Sequence, residues 1–232
     1  MDSERLRRKI ELVRPALAAA GRRFLDHPNI GRMYAEYLFV LHCIVRASVP
    51  LMRTALDLSR TLAQSDRVAA GMVPYLENHI LEELHHDEWL LDDLGVIGVR
   101  QSEVLSRPPS PTVASLVGAQ YYWVRHSHPV ALMGYMAVLE GYPPSTHWIE
   151  ALVAATGHPG EAFRTLREHA ELDPGHWQEL AATLDALPLT DDHRAVLGLS
   201  AIHTVRMVAQ AIDELVEDGD AHPIVQRRVR ES

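Results

Sequence analysis

Residues 167–180 read "REHAELDPGHWQEL" and place His169, Asp173 and His176 in the spacing H-x3-D-x2-H. Steps of four and three residues return to the same face of an α-helix, so the three side chains are predicted to point together. Pro174 lies inside the stretch and should disturb the helix locally. Helix packing alone does not require two imidazoles and a carboxylate on one face, and this donor set indicates a metal site.

The same pattern occurs a second time, in "HILEELHHDEW" at residues 79–89, where His79, Glu83 and His86 have the spacing H-x3-E-x2-H. The composition predicts roughly 0.1 such matches by chance, so two matches are a strong signal. Two helices that offer histidine and carboxylate from facing stripes can hold metal inside a helical bundle. Six such groups suggest two metals and a bridging carboxylate, for which Glu140, at the end of the apolar "YMAVLEG", is the candidate.

The apolar residues around these motifs follow a helical period, with no convincing alternation of the kind that marks a strand. Helices are predicted at about 3–24, at 26–63 with a break or kink near Pro50, at 68–94 with Gly95 as C-cap, at 113–126, at 128–141, at 145–157 between Ser145 or Thr146 and Gly157, from about 161 to 187, and from Thr190 to about 219. Residues 98–112 are predicted to form a loop. The prediction is one all-α domain over residues 1–220, a bundle of seven or more helices, followed by a tail at 221–232.

The composition excludes several classes of function. A net charge of −9 argues against nucleic acid or an anionic membrane as partner. The single cysteine, Cys43, lies in an apolar run and rules out multi-cysteine zinc and iron–sulfur sites. The single lysine, Lys9, lies in a charged N-terminal turn, which argues against pyridoxal phosphate chemistry. The N-terminus lacks a signal peptide and no apolar run reaches the length of a membrane span, so a cytoplasmic location is expected.

The chain resembles the heme-oxygenase-like diiron oxidases and oxygenases over most of residues 25–215. The resemblance lies in the order of the helices and in three segments, "HILEELHHDEWLLDDLG", "HPVALMGYMAVLEG" and "REHAELDPGHW". The resemblance implies a heme-oxygenase-like helical bundle that holds two ferrous ions, or manganese, and uses O2 as co-substrate without heme. The ligands that it implies are Glu83, His86, Glu140, His169, Asp173 and His176. His79 stands where some members have a carboxylate, and it is an additional ligand, a partner of a ligand, or the sign of a different metal arrangement. Glu36, in the apolar "MYAEYLFVLH", is a further candidate carboxylate.

The resemblance also implies oxidation of a small substrate, and an amino acid or derivative is the preferred class. N-oxygenation, desaturation and oxidative C–C cleavage in specialised metabolism are the expected outcomes, with an external electron donor and a homodimer as further expectations. Oxidative decarboxylation of a fatty acid is one alternative. Another is a metal-free protein of the same fold, either a TenA-like hydrolase with Cys43 as its nucleophile or a small-molecule binding protein. The residues predicted to bind substrate are Arg46, Arg125, Arg206, Tyr122 and Tyr135.

Histidines outside the two motifs lack a carboxylate at a matching spacing or precede a proline at a helix start. They are predicted to be structural. These residues are His27, His42, His126, His128, His147, His158, His193 and His203.

Overall fold

The computed structural model describes residues 1–217, and within them it contains ten α-helices, one short 3₁₀ helix and no β-strand. The α-helices are α1 (Asp2–Leu25), α2 (Ile30–Leu62), α3 (Arg67–Glu82), α4 (His86–Val96), α5 (Gln101–Ser106), α6 (Pro111–His126), α7 (Ala131–Leu139), α8 (Thr146–Thr156), α9 (Arg164–Ala186) and α10 (Asp191–Glu217), and the 3₁₀ helix is Gly160–Phe163. The all-α prediction is confirmed. The predicted tail at 221–232 lies outside the described residues.

The helix ends follow from residues that the sequence marks. The Ser145 side chain accepts a hydrogen bond from the Trp148 amide at the start of α8, and Gly157 ends that helix with φ of 70°. Thr190 accepts a bond from the His193 amide at the start of α10. Ser, Thr and Gly are the residue types that satisfy or permit these terminal conformations, so both predicted ends of α8 and the predicted start of α10 are confirmed. The predicted end of α10 at about 219 lies outside the described residues.

Three predicted boundaries are wrong. The helix predicted over 68–94 is divided, because residues 83–85 separate α3 from α4, and α4 then continues through Gly95 to Val96. The short helix α5 lies inside the predicted loop, where the Glu103 side chain accepts a hydrogen bond of 3.4 Å from the Arg100 amide. No break occurs near Pro50, because α2 continues through it from Ile30 to Leu62, with Leu51 and Met52 buried beside the proline.

The helix α7 lies at the centre of the bundle, and every residue from Ala131 to Val138 is buried. It packs closely on α10: a Cβ atom at Gly134 would lie 2.3 Å from the Leu197 carbonyl oxygen. A side chain at position 134 would therefore push the two helices apart. Glu140, which directly follows α7, is brought to the interior by this packing.

Two helices, α2 and α10, are long and apolar enough to cross a membrane by length and composition. Their most apolar windows are 50% and 44% buried inside the bundle. Core helices of soluble proteins pass the same test, so this feature is weak evidence for a membrane span.

Candidate metal centre

The first group of candidate ligands lies where α3 gives way to α4. His79 is in the last turn of α3, Glu83 is the residue that caps it, and His86 is the first residue of α4. Between them His85 adopts the left-handed conformation with φ of 72°, the one non-glycine residue with positive φ in the described chain. The H-x3-E-x2-H stripe therefore does not lie on one continuous helix, and the break turns Glu83 and His86 towards α9.

The second group comes from α7 and α9. Glu140 caps the C-terminus of α7, with its amide bonded to the Met136 carbonyl. His169, Asp173 and His176 all lie on α9, which continues through Pro174. The predicted helical grouping of this trio is thus present. Asp173 and His176 are buried and His169 is partly buried.

Two clusters of donor atoms form from these residues, each with its atoms within 4.8 Å of one another. One cluster contains His79, Glu83 and His176, and the other contains Glu83, His86 and His169. Glu83 belongs to both: its Oε1 lies 3.5 Å from His176 Nδ1, and its Oε2 lies 3.3 Å from His86 Nδ1. A carboxylate with one oxygen facing each cluster has the geometry of a bridging ligand.

The bridging position was assigned to Glu140 from the sequence, and Glu140 is instead found beside the first cluster. Its Oε1 accepts a hydrogen bond of 3.1 Å from His79 Nε2. His79 is fully buried and is itself part of that cluster. The geometry therefore favours His79 as a ligand rather than only as a partner of one.

Several polar atoms of these residues are buried without a hydrogen-bond partner in the described chain. They are Glu83 Oε1, His86 Nδ1, Glu140 Oε2, Asp173 Oδ1 and His176 Nδ1. Each buried polar atom left in this state costs about 1–3 kcal/mol. Donor atoms that converge without satisfying one another fit a site for cations, and imidazole with carboxylate suits iron or manganese.

The electrostatics of the cluster favour retained protons when no metal neutralises the carboxylates. Burial, with the nearby Glu140 and Glu83, raises the pKa of Asp173 to about 8. Burial also raises the pKa of Glu140. For His79, burial opposes the charged form, but the hydrogen bond and charge of Glu140, with Glu83 and Glu82, outweigh it and raise its pKa to about 9. Protons on Asp173 and His79 thus balance part of the buried negative charge.

Two of the candidate ligands are oriented by groups that the sequence did not indicate. His79 Nδ1 lies 3.2 Å from Glu82 Oε2, on the side opposite Glu140. His169 Nδ1 donates to the Thr165 carbonyl at 2.9 Å, which leaves its Nε2 available as a ligand atom. Such outer partners fix the tautomer and the ring orientation of metal-binding histidines. The one signal for Glu82 was its position three residues after His79.

A cavity of about 570 Å³ opens beside this centre. Glu83, Glu140, His169 and Asp173 line it, so the candidate ligands form part of its wall. The remaining lining is mainly apolar and comes from α1, α2, α4, α7 and the segment after it, α8, α9 and α10. Arg14 and Arg22 of α1 also line the cavity, and neither was indicated by the sequence.

The other predicted site residues lie elsewhere in the described part of the chain. Glu36 forms an ion pair of 2.6 Å with Arg107 and belongs to neither cluster. Tyr122 is 63% exposed. Tyr135 is buried in α7. None of the five residues predicted to bind substrate is among the described residues that line the cavity. These are Arg46, Arg125, Arg206, Tyr122 and Tyr135.

A third group of possible ligands, Asp66, His128 and His193, lies apart from the cavity. His128 Nδ1 accepts the Val130 amide at 3.0 Å, and His193 Nδ1 accepts the Thr190 amide at 3.2 Å. The other nitrogen of each neutral ring therefore carries the proton and has no lone pair for a cation. This arrangement supports the structural role predicted for His128 and His193.

Comparison with known proteins gives the fold and the family. A domain with a heme oxygenase-like fold from Shewanella denitrificans OS217 superposes with a TM-score of 0.80 at 17% identity, covering 95% of this chain and 94% of that one. A TenA homolog from Pseudomonas syringae pv. tomato superposes with a TM-score of 0.66 at 14% identity, covering 89% and 92%. These two structures confirm the heme-oxygenase-like fold.

No curated protein sequence matches the chain significantly. The model of one protein family, described as iron-containing redox enzymes, matches residues 49–221. This match covers both histidine motifs and Glu140, and it spans most of the chain. The chain therefore belongs to the family of iron-containing redox enzymes.

Proposed function

We propose that this protein is a non-heme diiron oxidase or oxygenase that uses O2 to oxidise a small substrate. The observation that carries the proposal is the position of Glu83, whose two oxygens face two separate pairs of histidines. One donor atom of each of four residues, Glu83 Oε1, Glu140 Oε2, Asp173 Oδ1 and His176 Nδ1, is buried without a hydrogen-bond partner in the described chain. Family membership supports iron as the metal.

In this proposal His79, His176 and Glu140 would hold one iron, His86 and His169 would hold the other, and Glu83, with one oxygen facing each cluster, would serve both. Asp173 Oδ1 lies 3.8 Å from His176 Nδ1, and its carboxylate contributes negative charge beside the first iron. When bound, the two ions supply the ability to bind and reduce O2. The protein's own contribution is to fix the ligands, to hold protons on buried groups and to keep the adjoining cavity largely apolar.

The cavity provides the place for the substrate, since the candidate ligands are part of its wall. An amino acid or derivative remains our preferred class, oxidised by N-oxygenation, desaturation or C–C cleavage in specialised metabolism. The mainly apolar lining favours a substrate with a sizeable apolar body, and a fatty acid is the second candidate. Electrons beyond those of the substrate would come from an external donor.

A metal-free activity of the TenA type draws support only from likeness of fold. It would need Cys43 as nucleophile. Burial raises the pKa of the Cys43 thiol, which disfavours the reactive thiolate, and the described lining of the cavity does not include this residue. These two observations leave the metal-free reaction with less support than the diiron proposal.

The test is iron content per chain after anaerobic loading with ferrous iron, followed by O2 consumption. We expect two irons per wild-type chain and rapid O2 uptake. Glu83→Gln should lose both irons, because the shared carboxylate serves both clusters. Glu88→Gln, an exposed change of the same chemistry on α4, is the matched control and should retain both. Loss of only one iron in Glu83→Gln would refute the bridging assignment, and absence of iron from the wild-type protein would refute the diiron function.

A further inference from the structure

The cavity differs in chemistry between its closed and open ends. At the closed end, Glu83 is 8% exposed and Asp173 is 2% exposed. At the open end, Arg14 has a side chain that is 44% exposed, and Arg22 is exposed as well. The cavity therefore leads from a cationic mouth to the metal centre.

One face of α1 forms the mouth. Arg14, Leu17, Ala18, Gly21 and Arg22 all line the cavity, and their spacing of three, four, seven and eight residues repeats on one side of a helix. A Cβ atom at Gly21 would meet no heavy atom within 4 Å, so open space lies beside this position. Small residues beside Arg22 leave room for a ligand to reach its guanidinium.

The two arginines differ in whether their guanidinium groups have partners within the described chain. Arg14 Nε donates to Glu11 at 3.0 Å, and its guanidinium lies 5.2 Å from the centre of the Tyr142 ring. Arg22 has no ion-pair partner among the described residues, although its neighbour Arg23 is paired with Asp213 at 2.6 Å. A guanidinium at a cavity mouth with its donors available is suited to a planar anion such as a carboxylate.

We propose that Arg22 binds the carboxylate of the substrate at the mouth, so that an apolar body points inward to the metal centre. The inward part of the cavity fits that body, because Leu90, Val138, Leu139 and Leu166 line it together with the candidate ligands. This inference rests on the proposed function, since it assumes that the end of the substrate nearest the metal centre is the end that reacts. It deepens that function by naming the substrate class, which is an amphipathic carboxylate such as an amino acid with a long apolar side chain.

The orientation has a chemical consequence. The carboxylate lies at the opposite end of the cavity from the metals, so the oxidised position is remote from it. The product retains the carboxylate, which distinguishes this reaction from an oxidative decarboxylation.

The experiment uses the full chain loaded with Mn²⁺, with octanoate as the probe and octan-1-ol as its neutral counterpart. Bound Mn²⁺ speeds the NMR relaxation of nearby protons, and the effect decreases steeply with distance. We expect the terminal methyl protons of octanoate to relax faster than the protons next to the carboxylate. Faster relaxation next to the carboxylate would overturn the proposal.

Calorimetric titration supplies the second readout. Arg22→Gln should weaken octanoate binding about tenfold, as expected for the loss of one charge-assisted hydrogen bond, and leave octan-1-ol binding unchanged. Arg23→Gln makes the same change at the neighbouring residue, outside the described lining of the cavity, and should bind octanoate as the wild type does. Equal octanoate affinity in wild type and Arg22→Gln would refute the proposed contact.

The same titration without added metal separates this inference from the diiron function. If the wild-type chain binds no metal but binds octanoate in an Arg22-dependent manner, the diiron function fails while carboxylate recognition is upheld. If octanoate binds only when metal is present and without regard to Arg22, the carboxylate faces the metals and the inference fails.

Discussion

His79 Nε2 lies 3.1 Å from Glu140 Oε1, although the two residues are 61 positions apart in the chain. The proton between them belongs to a histidine whose pKa is raised to about 9. Both atoms are suited to bind a cation once that proton leaves. Binding of a metal by His79 Nε2 would require this proton to leave, so metal binding and proton release should occur together.

Metal binding should therefore release protons, and the metal affinity should increase as the pH rises from 6 to 8. The pKa of Asp173, raised to about 8, means that the carboxyl is mostly protonated at pH 7 and must ionise to accept a metal nearby. Without metal, this group favours the folded state at low pH, and its contribution is lost as the pH rises from its usual value of 3.8 through 8. Mn²⁺ titration in weakly buffered solution, with a pH indicator, measures the protons released.

Asp173→Asn tests the origin of those protons. It should release about one proton fewer per chain at pH 7 than the wild type and should flatten the dependence of metal affinity on pH. Asp57→Asn, on the exposed surface of α2, is the control and should behave as the wild type does. An unchanged proton count in Asp173→Asn would show that this carboxyl is already ionised.

Glu82 should act on the metal through His79. Its Oε2 lies 3.2 Å from His79 Nδ1, and Asn78 donates to its other oxygen at 2.8 Å, so the carboxylate is held in position. Glu82→Gln should weaken metal binding about 10- to 100-fold while both sites remain available, as is typical for outer partners of metal-bound histidines. Mn²⁺ titration followed by electron paramagnetic resonance measures the affinity. An affinity equal to that of Glu88→Gln would contradict this role.

His85 should prefer glycine to alanine, the reverse of an ordinary helix position. Its φ of 72° costs about 1–2 kcal/mol for a residue with a Cβ atom. His85→Gly and His85→Ala both remove the contact with Glu88, so their difference isolates the backbone. We expect the glycine variant to unfold with a free energy about 1 kcal/mol higher than the alanine variant, measured in urea. Equal stabilities would contradict a left-handed residue here.

Gly134 should be intolerant of a side chain, because a Cβ atom would lie 2.3 Å from the Leu197 carbonyl oxygen. Separating α7 from α10 should lower the free energy of unfolding by about 1–3 kcal/mol in Gly134→Ala. Gly118, in α6, has no heavy atom within 4 Å of the corresponding position, and Gly118→Ala should raise stability by about 0.5–1 kcal/mol. A stabilising effect at both positions would contradict the close packing of α7 on α10.

The sequence predicted the fold class and the grouping of one histidine motif, that of α9, because both depend on local periodicity. The spacing of His169, Asp173 and His176 determines that they share a face of any helix that contains them. Caps such as Ser145 and Gly157 are likewise set by their own side chains or by the lack of one.

The helix break and the shared role of Glu83 were not predictable in this way. Residues 79–89 contain neither glycine nor proline, so no residue of this stretch marks a helix end. The residues on either side of the break contact groups that are distant in the chain: His79 contacts Glu140, and Glu83 lies 3.5 Å from His176 on α9. The cavity arginines were missed for a similar reason, since α1 is rich in charge and only its packing shows which arginines face inward.

The end of α7 has a further thermodynamic consequence. After Glu140 and Gly141 come Tyr142, Pro143 and Pro144, which line the cavity, so one short segment carries both a candidate metal ligand and part of the cavity wall. An occupant that shifts this wall changes the position of Glu140. Metal and occupant then alter each other's dissociation constants by the same factor, whichever binds first. In the proposed function, the segment from Glu140 to Pro144 would thus couple occupancy of the cavity to metal affinity.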